Sequence, residues 1–128
     1  MRSRAVGVVA ILMLTMASAP MRATTRCVWL HVRPTVLLRR GDIDVEARVA
    51  RHADHRRLTI AWISDVGAEG RSDEMLDGDM ARVVYQQWLR DQPAGRYRFV
   101  AQVLNEHDRI VGQDEVWIIG PELEGGDR

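Results

Sequence analysis

The chain contains no lysine, one cysteine, one phenylalanine and no excess of either charge. Each scarcity excludes something. Basic and acidic residues balance at 18 each. No positive surplus exists to displace counterions from a polyanion, so nucleic-acid binding through bulk charge is excluded. The single cysteine, Cys27, rules out a disulfide framework. It reads as a small buried apolar residue or as a thiol near the start of the mature chain. All the positive side chains are guanidinium groups, which pair with carboxylates in a two-pronged way. Serine is scarce beyond the N-terminus. Ser64 and Ser72 occur there, and neither lies in a Gly-x-Ser-x-Gly turn. Cys27 has no histidine partner that the sequence identifies, and no glycine-rich phosphate loop occurs. No catalytic residue, metal ligand or cofactor site is therefore expected, and the chain does not read as an enzyme.

What is present fits one ordinary globular domain, with 128 residues and 46% hydrophobic content. Arg2 and Arg4 precede an uncharged run from Ala5 to Ala19, and Pro20 ends it. A basic start, a short apolar run and small residues after it form a secretory signal pattern. The run falls short of the roughly 18–20 residues of a spanning helix. Residues 1–23 are expected to be a signal helix, cut after Ala17, Ala19 or Ala23; an uncleaved anchor is the alternative. Arg26 directly before Cys27 argues against a lipid-modified cysteine. Loss of Arg2, Arg4 and Arg22 leaves a mature net charge of −3. The expected location is periplasmic or extracellular, with no membrane span after cleavage.

The mature chain alternates with a period of two. Val28, Leu30 and Val32 alternate with Trp29 and His31. Pro34 interrupts before Val36-Leu37-Leu38, which reads as an edge strand broken in two. Gly41-Asp42 reads as a turn. Ile43, Val45, Ala47 and Val49 then face one way, and Asp42, Asp44, Glu46 and Arg48 the other. One apolar and one polar face is what a sandwich strand needs. Arg51–Arg56 reads as a hairpin connection, followed by a strand with Leu58, Ile60 and Trp62 on one face. The polar stretch from Ser64 to Asp79 is expected to hold one short strand near Arg71–Leu76. Val83–Leu89 reads as a strand on its β-branched and aromatic content, although Gln86 and Gln87 would permit a helix. Asp91–Gly95 is a turn signal. Tyr97, Phe99, Ala101 and Val103 alternate next. Ile110–Ile119, bulged near Gly112, closes the series. Residues 24–121 are expected to form the domain, and 122–128 a disordered acidic tail. About seven strands, with turns at ~8–12-residue spacing, indicate an all-β, two-sheet antiparallel sandwich.

Two aromatic positions carry a resemblance. Trp62, on the face of Leu58 and Ile60, resembles the buried tryptophan of the third strand in immunoglobulin-like and fibronectin type III-like domains. Tyr97, after Pro93-Ala94-Gly95, resembles the tyrosine corner of such folds, whose hydroxyl bonds to the backbone a few residues upstream. In antibody-type domains a cysteine lies two residues after this tyrosine. Here Phe99 stands in that place, and Val45, Ala47 and Val49 face it. The resemblance is therefore to disulfide-free bacterial immunoglobulin-like modules. It implies an adhesive, scaffolding or appended domain, seldom an enzyme.

Several residues invite a site. His52 and His55 have a two-ligand spacing around Asp54, but Arg51, Arg56 and Arg57 flank them, and a solvated turn is preferred to a metal site. Asp73, Asp77 and Asp79, with Glu74, cluster around Gly78 without the spacing of a calcium loop. Trp29 and Trp117 lie off the apolar parity of their strands and are expected to share one outer face; Trp88 is unassigned. Exposed aromatics of this kind mark a protein interface or, alternatively, a sugar-stacking surface. The expected role is a non-catalytic exported module with an envelope or extracellular protein as partner. A periplasmic carbohydrate- or metal-binding domain is the alternative.

Overall fold

The period-two alternation becomes seven β-strands in the computed structural model, which describes residues 26–121. The expected signal segment and acidic tail lie outside the described residues. The strands are β1 (Val28–Arg33), β2 (Gly41–Val49), β3 (Arg57–Ser64), β4 (Glu69–Met75), β5 (Val84–Gln92), β6 (Tyr97–Leu104) and β7 (Ile110–Ile118). They build a three-stranded sheet in the order β1-β2-β5 and a four-stranded sheet in the order β4-β3-β6-β7. Every neighbouring pair is antiparallel. The fold is all-β, with two sheets packed face to face. A short 3₁₀ turn, Gly78–Met80, is the one helical segment among the described residues.

Pro34 follows β1, and its ring holds φ at about −65°, away from that of an extended antiparallel strand, so β1 ends before it. The chain then changes sheets. Val36 bridges Ile119 in parallel. The Leu37 N–H donates to the Ile119 carbonyl at 2.8 Å, and the Ile119 N–H donates to Thr35 at 2.9 Å. The broken edge strand thus joins the three-stranded sheet with its first half and the end of β7 with its second.

Other expectations shift. Gly41-Asp42 is not a free turn: both residues lie in β2, with a bulge between Gly41 and Ile43. The Asp42 carboxylate accepts the Asp91 N–H at 2.8 Å and so ties the start of β2 to the end of β5. The turn therefore begins only at Pro93, because Gln92 still pairs with Gly41. β4 begins at Glu69, earlier than Arg71. The strand expected over 83–89 starts one residue later than Val83 and runs on to Gln92, which settles the strand-or-helix choice at Gln86 and Gln87. Near Gly112 the expected bulge occurs, as the register slips between Val103 and Leu104.

The core runs between the sheets. Ile43, Val45, Val49, Leu58, Ile60, Tyr97, Phe99 and Val103 are all buried, together with Val28, Leu30, Val32, Tyr85, Leu89 and Ile118. Each large one contributes roughly 1.5–3 kcal/mol against chain entropy. Trp62 departs from expectation. It lies on the inner face but is only half-buried. Its ring stacks on Phe99 at 6.2 Å and spreads over Gly70, where an added Cβ would come within 2.7 Å of Cε2. Beyond that glycine, β4 turns only Ser72 and Glu74 inward, by its register with β3. This edge strand therefore gives the indole no apolar cover.

Tyr97 is fully buried, and its hydroxyl donates to the Pro93 carbonyl at 2.7 Å. That is the upstream bond expected of it. Cys27 is part of the core rather than a tail thiol. Its Sγ fills the space that a side chain at position 112 would need, so glycine is required there. Burial pushes the Cys27 thiol pKa up, which leaves less reactive thiolate.

Candidate interaction surfaces

Strand register fixes what each outer face presents. On β1 the outward residues are Trp29, His31 and Arg33; on β2 they are Asp44, Glu46 and Arg48; on β5 they are Val84, Gln86 and Trp88. Three cross-strand rows result: Trp29-Arg48-Val84, His31-Glu46-Gln86 and Arg33-Asp44-Trp88. Two tryptophans thus stand at opposite corners of a polar centre. Trp29 is 41% exposed, Trp88 51% and Val84 37%.

The centre is tightly engaged. Asp44 is buried although it lies on an outer face. Its carboxylate accepts from Gln86 Nε2 at 3.0 Å and from the Arg33 guanidinium at 3.1 Å. These hydrogen bonds, the Gln86 amide first, hold its pKa below the usual carboxylate range. Arg48 pairs with Glu46 at 3.1 Å. The face carries alternating charge, each one matched within the sheet.

Trp117 is also exposed, at 53%, but it belongs to the other sheet. Its register partner is Arg98 on β6, and Ile63 of β3 follows in the same row. Trp29 and Trp117 therefore do not share one outer face, contrary to expectation. β1 and β7 are neighbours across the sandwich edge, yet each turns its tryptophan outward from a different sheet. Trp88, unassigned from the sequence, is the residue that shares the face of Trp29. Its parity against Tyr85 and Leu89 was the available signal. Once those two point inward, Trp88 points out.

Each exposed tryptophan is accompanied by an arginine. Arg26 lies 5.8 Å from the Trp29 ring centre, Arg90 5.5 Å from Trp88 and Arg98 6.0 Å from Trp117. Such cation–π contacts are worth about 0.5–1 kcal/mol at exposed sites.

The histidine loop is not wholly solvated as expected, because His55 is buried and its ring bonds to the backbone. The rings of His52 and His55 are 5.2 Å apart. The His52 Nδ1 accepts the Asp54 N–H at 3.0 Å, and the His55 Nδ1 lies 2.8 Å from the Ala50 carbonyl, to which it donates. His55 is buried, and its backbone carbonyl accepts the Gly78 N–H. The acidic residues disperse. Asp73 accepts the Thr59 hydroxyl at 2.8 Å, Glu74 lies 3.9 Å from Arg82, and Asp77 and Asp79 flank Gly78 at the 3₁₀ turn. Among the described residues no three or more His, Cys, Asp or Glu side chains are grouped as metal ligands.

Burial pushes the His55 pKa below its ordinary value, with the Ala50 hydrogen bond opposing. The folded state therefore keeps the ring neutral, while the unfolded chain takes up a proton near pH 6.5. The contribution of His55 to stability is present above about pH 6.5 and is lost as pH falls from there toward the folded pKa. Urea melts between pH 7 and 5 should show this loss. His55→Asn, which keeps a donor toward Ala50, should flatten it; an unchanged slope would assign the acid sensitivity elsewhere.

Neither a family model nor a characterised protein matches the sequence. Solved structures match in fold. A superoxide reductase (neelaredoxin) from Ignicoccus hospitalis aligns with a TM-score of 0.54 at 10% identity, over 83% of this chain and 88% of that one. The superoxide reductase (neelaredoxin) from Archaeoglobus fulgidus gives 0.51 at 6% identity, over 80% and 96%. A family 76 glycoside hydrolase from a bovine Bacteroides thetaiotaomicron strain gives 0.50 at 15% identity, over 73% of this chain but only 20% of that one. At such identities the likeness is one of fold alone: a β-sandwich that unrelated chemistries share.

Proposed function

We propose that this chain is a non-catalytic, exported module of the immunoglobulin-like and fibronectin type III-like kind, which binds a protein of the cell envelope or extracellular space. The binding surface is the outer face of the three-stranded sheet. The observation that carries this reading is the pair Trp29 and Trp88, exposed on one face around the Arg33-Asp44-Gln86 centre. Aromatic residues and arginine are enriched at protein interfaces, and a matched polar centre supplies specificity rather than raw affinity. The arginines beside both indoles fit a protein interface, where arginine and aromatic residues are enriched. The buried Tyr97 with its bond to Pro93 supports the domain kind. So does the grouping of β3, β6 and β7 opposite β1, β2 and β5. In an immunoglobulin constant domain the fourth strand belongs with the first, second and fifth; here β4 pairs with β3 instead. Export rests on Arg2, Arg4 and the Ala5–Ala19 run.

A photo-crosslinker at His31, between the two tryptophans, should trap one defined protein from envelope extract. The joint substitution Trp29→Ala and Trp88→Ala should abolish trapping without lowering the melting temperature. Trp117→Ala should leave it intact. Tryptophan fluorescence quenched by glycans, with no protein trapped, would replace this reading with the sugar-binding one.

A further inference from the structure

The sandwich has four sheet edges, and they differ in protection. β1 and β7 lie against each other, with the Leu30 N–H donating to Asp114 Oδ2 at 2.8 Å and Arg26 pairing with the same carboxylate. β4 is guarded by Glu69, Arg71, Asp73 and Glu74. Charged side chains are the usual means by which an edge avoids pairing with another chain. β5 lacks them over its central part: from Val83 to Leu89 the sequence VVYQQWL holds no charge, proline or glycine. Such a β-prone, uncharged stretch readily accepts another strand.

The backbone there is available. The Val49 N–H donates to the Val83 carbonyl at 2.8 Å. The same register continues through Ala47 and Tyr85, Val45 and Gln87, and Ile43 and Leu89. These are the hydrogen-bonded pairs, so by alternation the N–H and C=O groups of Val84, Gln86 and Trp88 point away from β2. Among the described residues no strand lies on that side. The Arg90 carbonyl marks the end of the open run, since it accepts Gln92 Nε2 at 2.9 Å.

We infer that a second copy of this chain pairs with this edge, β5 against β5, antiparallel, joining the two three-stranded sheets into one. Charge selects the register. Centring the two-fold axis on Gln86 would oppose Arg82 to Arg90 of the other copy, and centring it on Trp88 would set Tyr85 against Asp91. Centring it on Gln87 opposes no like charges. It sets Tyr85 across from Leu89, Val84 across from Arg90, and the Gln87 amide across from its own copy. Like charges directly opposite are destabilising and apolar cross-strand pairs stabilising, so this register is the one formed. The inference does not depend on the protein-partner reading above.

Sedimentation velocity over a concentration series should show a species of twice the monomer mass that grows with concentration, with a dissociation constant below about 1 mM, as expected of weak but specific pairing. Gln86→Pro removes an outward N–H at an edge position, where proline is tolerated, and should return the protein to monomer. Gln86→Lys, whose ammonium can still meet Asp44, should do the same if the proline variant fails to fold. In a Cys27→Ala background, Gln87→Cys should form a disulfide-linked dimer on mild oxidation, because a non-hydrogen-bonded antiparallel pair brings its Cα atoms within disulfide range. Ser72→Cys on β4 should stay monomeric. A monomer at every concentration, or cross-linking through Ser72→Cys in place of Gln87→Cys, would overturn the inference.

Discussion

Phe99→Ala should lower the unfolding free energy by about 3–5 kcal/mol, the range for removing a buried aromatic side chain. Phe99 is fully buried and lies at the centre of an aromatic row. Its ring is 6.0 Å from Tyr97 on one side and 6.2 Å from Trp62 on the other. The single cysteine, Cys27, is free, so no disulfide joins the two sheets and apolar contact must hold them together. Truncation leaves a void between the two layers and removes the partner of both neighbouring rings. Phe99→Leu, which keeps most of the volume, should cost under about 1.5 kcal/mol if the neighbours repack. Trp62→Ala should cost less than Phe99→Ala, because the indole is already half in water. Urea denaturation of the three variants at pH 7 tests the order. A loss below about 1 kcal/mol for Phe99→Ala, against the 2–5 kcal/mol usual for large core truncations, would mean that the sheets are held together elsewhere.

Gly120→Ala should be nearly as damaging, for an opposite reason. Gly120 is buried where the chain passes the Pro93–Arg96 turn. A Cβ there would overlap the Gly95 carbonyl and come within 2.6 Å of the Arg96 nitrogen. Those atoms belong to backbone and cannot rotate away. The turn is also the one that holds the Tyr97 hydroxyl through Pro93, so pushing it outward disturbs the buried corner as well. Overpacking of this kind costs typically 1–3 kcal/mol and more where the obstacle is rigid; we expect about 3 kcal/mol or more. The general gain of about 0.4–1 kcal/mol from restricting the unfolded chain offsets only part of that. Gly41→Ala is the control. Its added Cβ meets Leu37 at an ordinary 3.6 Å, and its melting curve should barely move. Equal stability of the Gly120→Ala and Gly41→Ala proteins would show that the turn is free to shift.

The residues that read correctly from sequence share a property: their behaviour is local. Ile43, Val45 and Val49 alternate with Asp44, Glu46 and Arg48, and one face had to be apolar whichever strand lay beside it. Pro34 had to end a strand, because its ring holds φ away from the extended antiparallel value. Tyr97 follows a Pro-Ala-Gly turn that returns the chain within reach of its hydroxyl. Where the reading failed, the answer depended on a neighbour distant in sequence. Gly41-Asp42 looks like a turn until Gln92 and Asp91 arrive to pair with it. Trp62 has the parity of a core residue, but its cover depends on β4, which offers Gly70 and Ser72 on that side. Gly112 and Cys27 are unremarkable in isolation, and only their contact explains why one is glycine and the other is buried.

The candidate surface divides in the same way. That Trp29 and Trp117 leave the core was legible in their own strands, because alternation assigns in or out without reference to a partner. That they end on different sheets, and that Trp88 joins Trp29 instead, was not. By itself the sequence determined an all-β chain, the parity of most strands and the composition of its apolar layer, since side-chain direction along an extended backbone repeats every two residues. Only the tertiary structure decided which strands share a sheet, which edge lies open and which tryptophans stand together. Those choices are made by hydrogen-bond ladders between segments far apart in the chain, and a period of two is the same in either sheet.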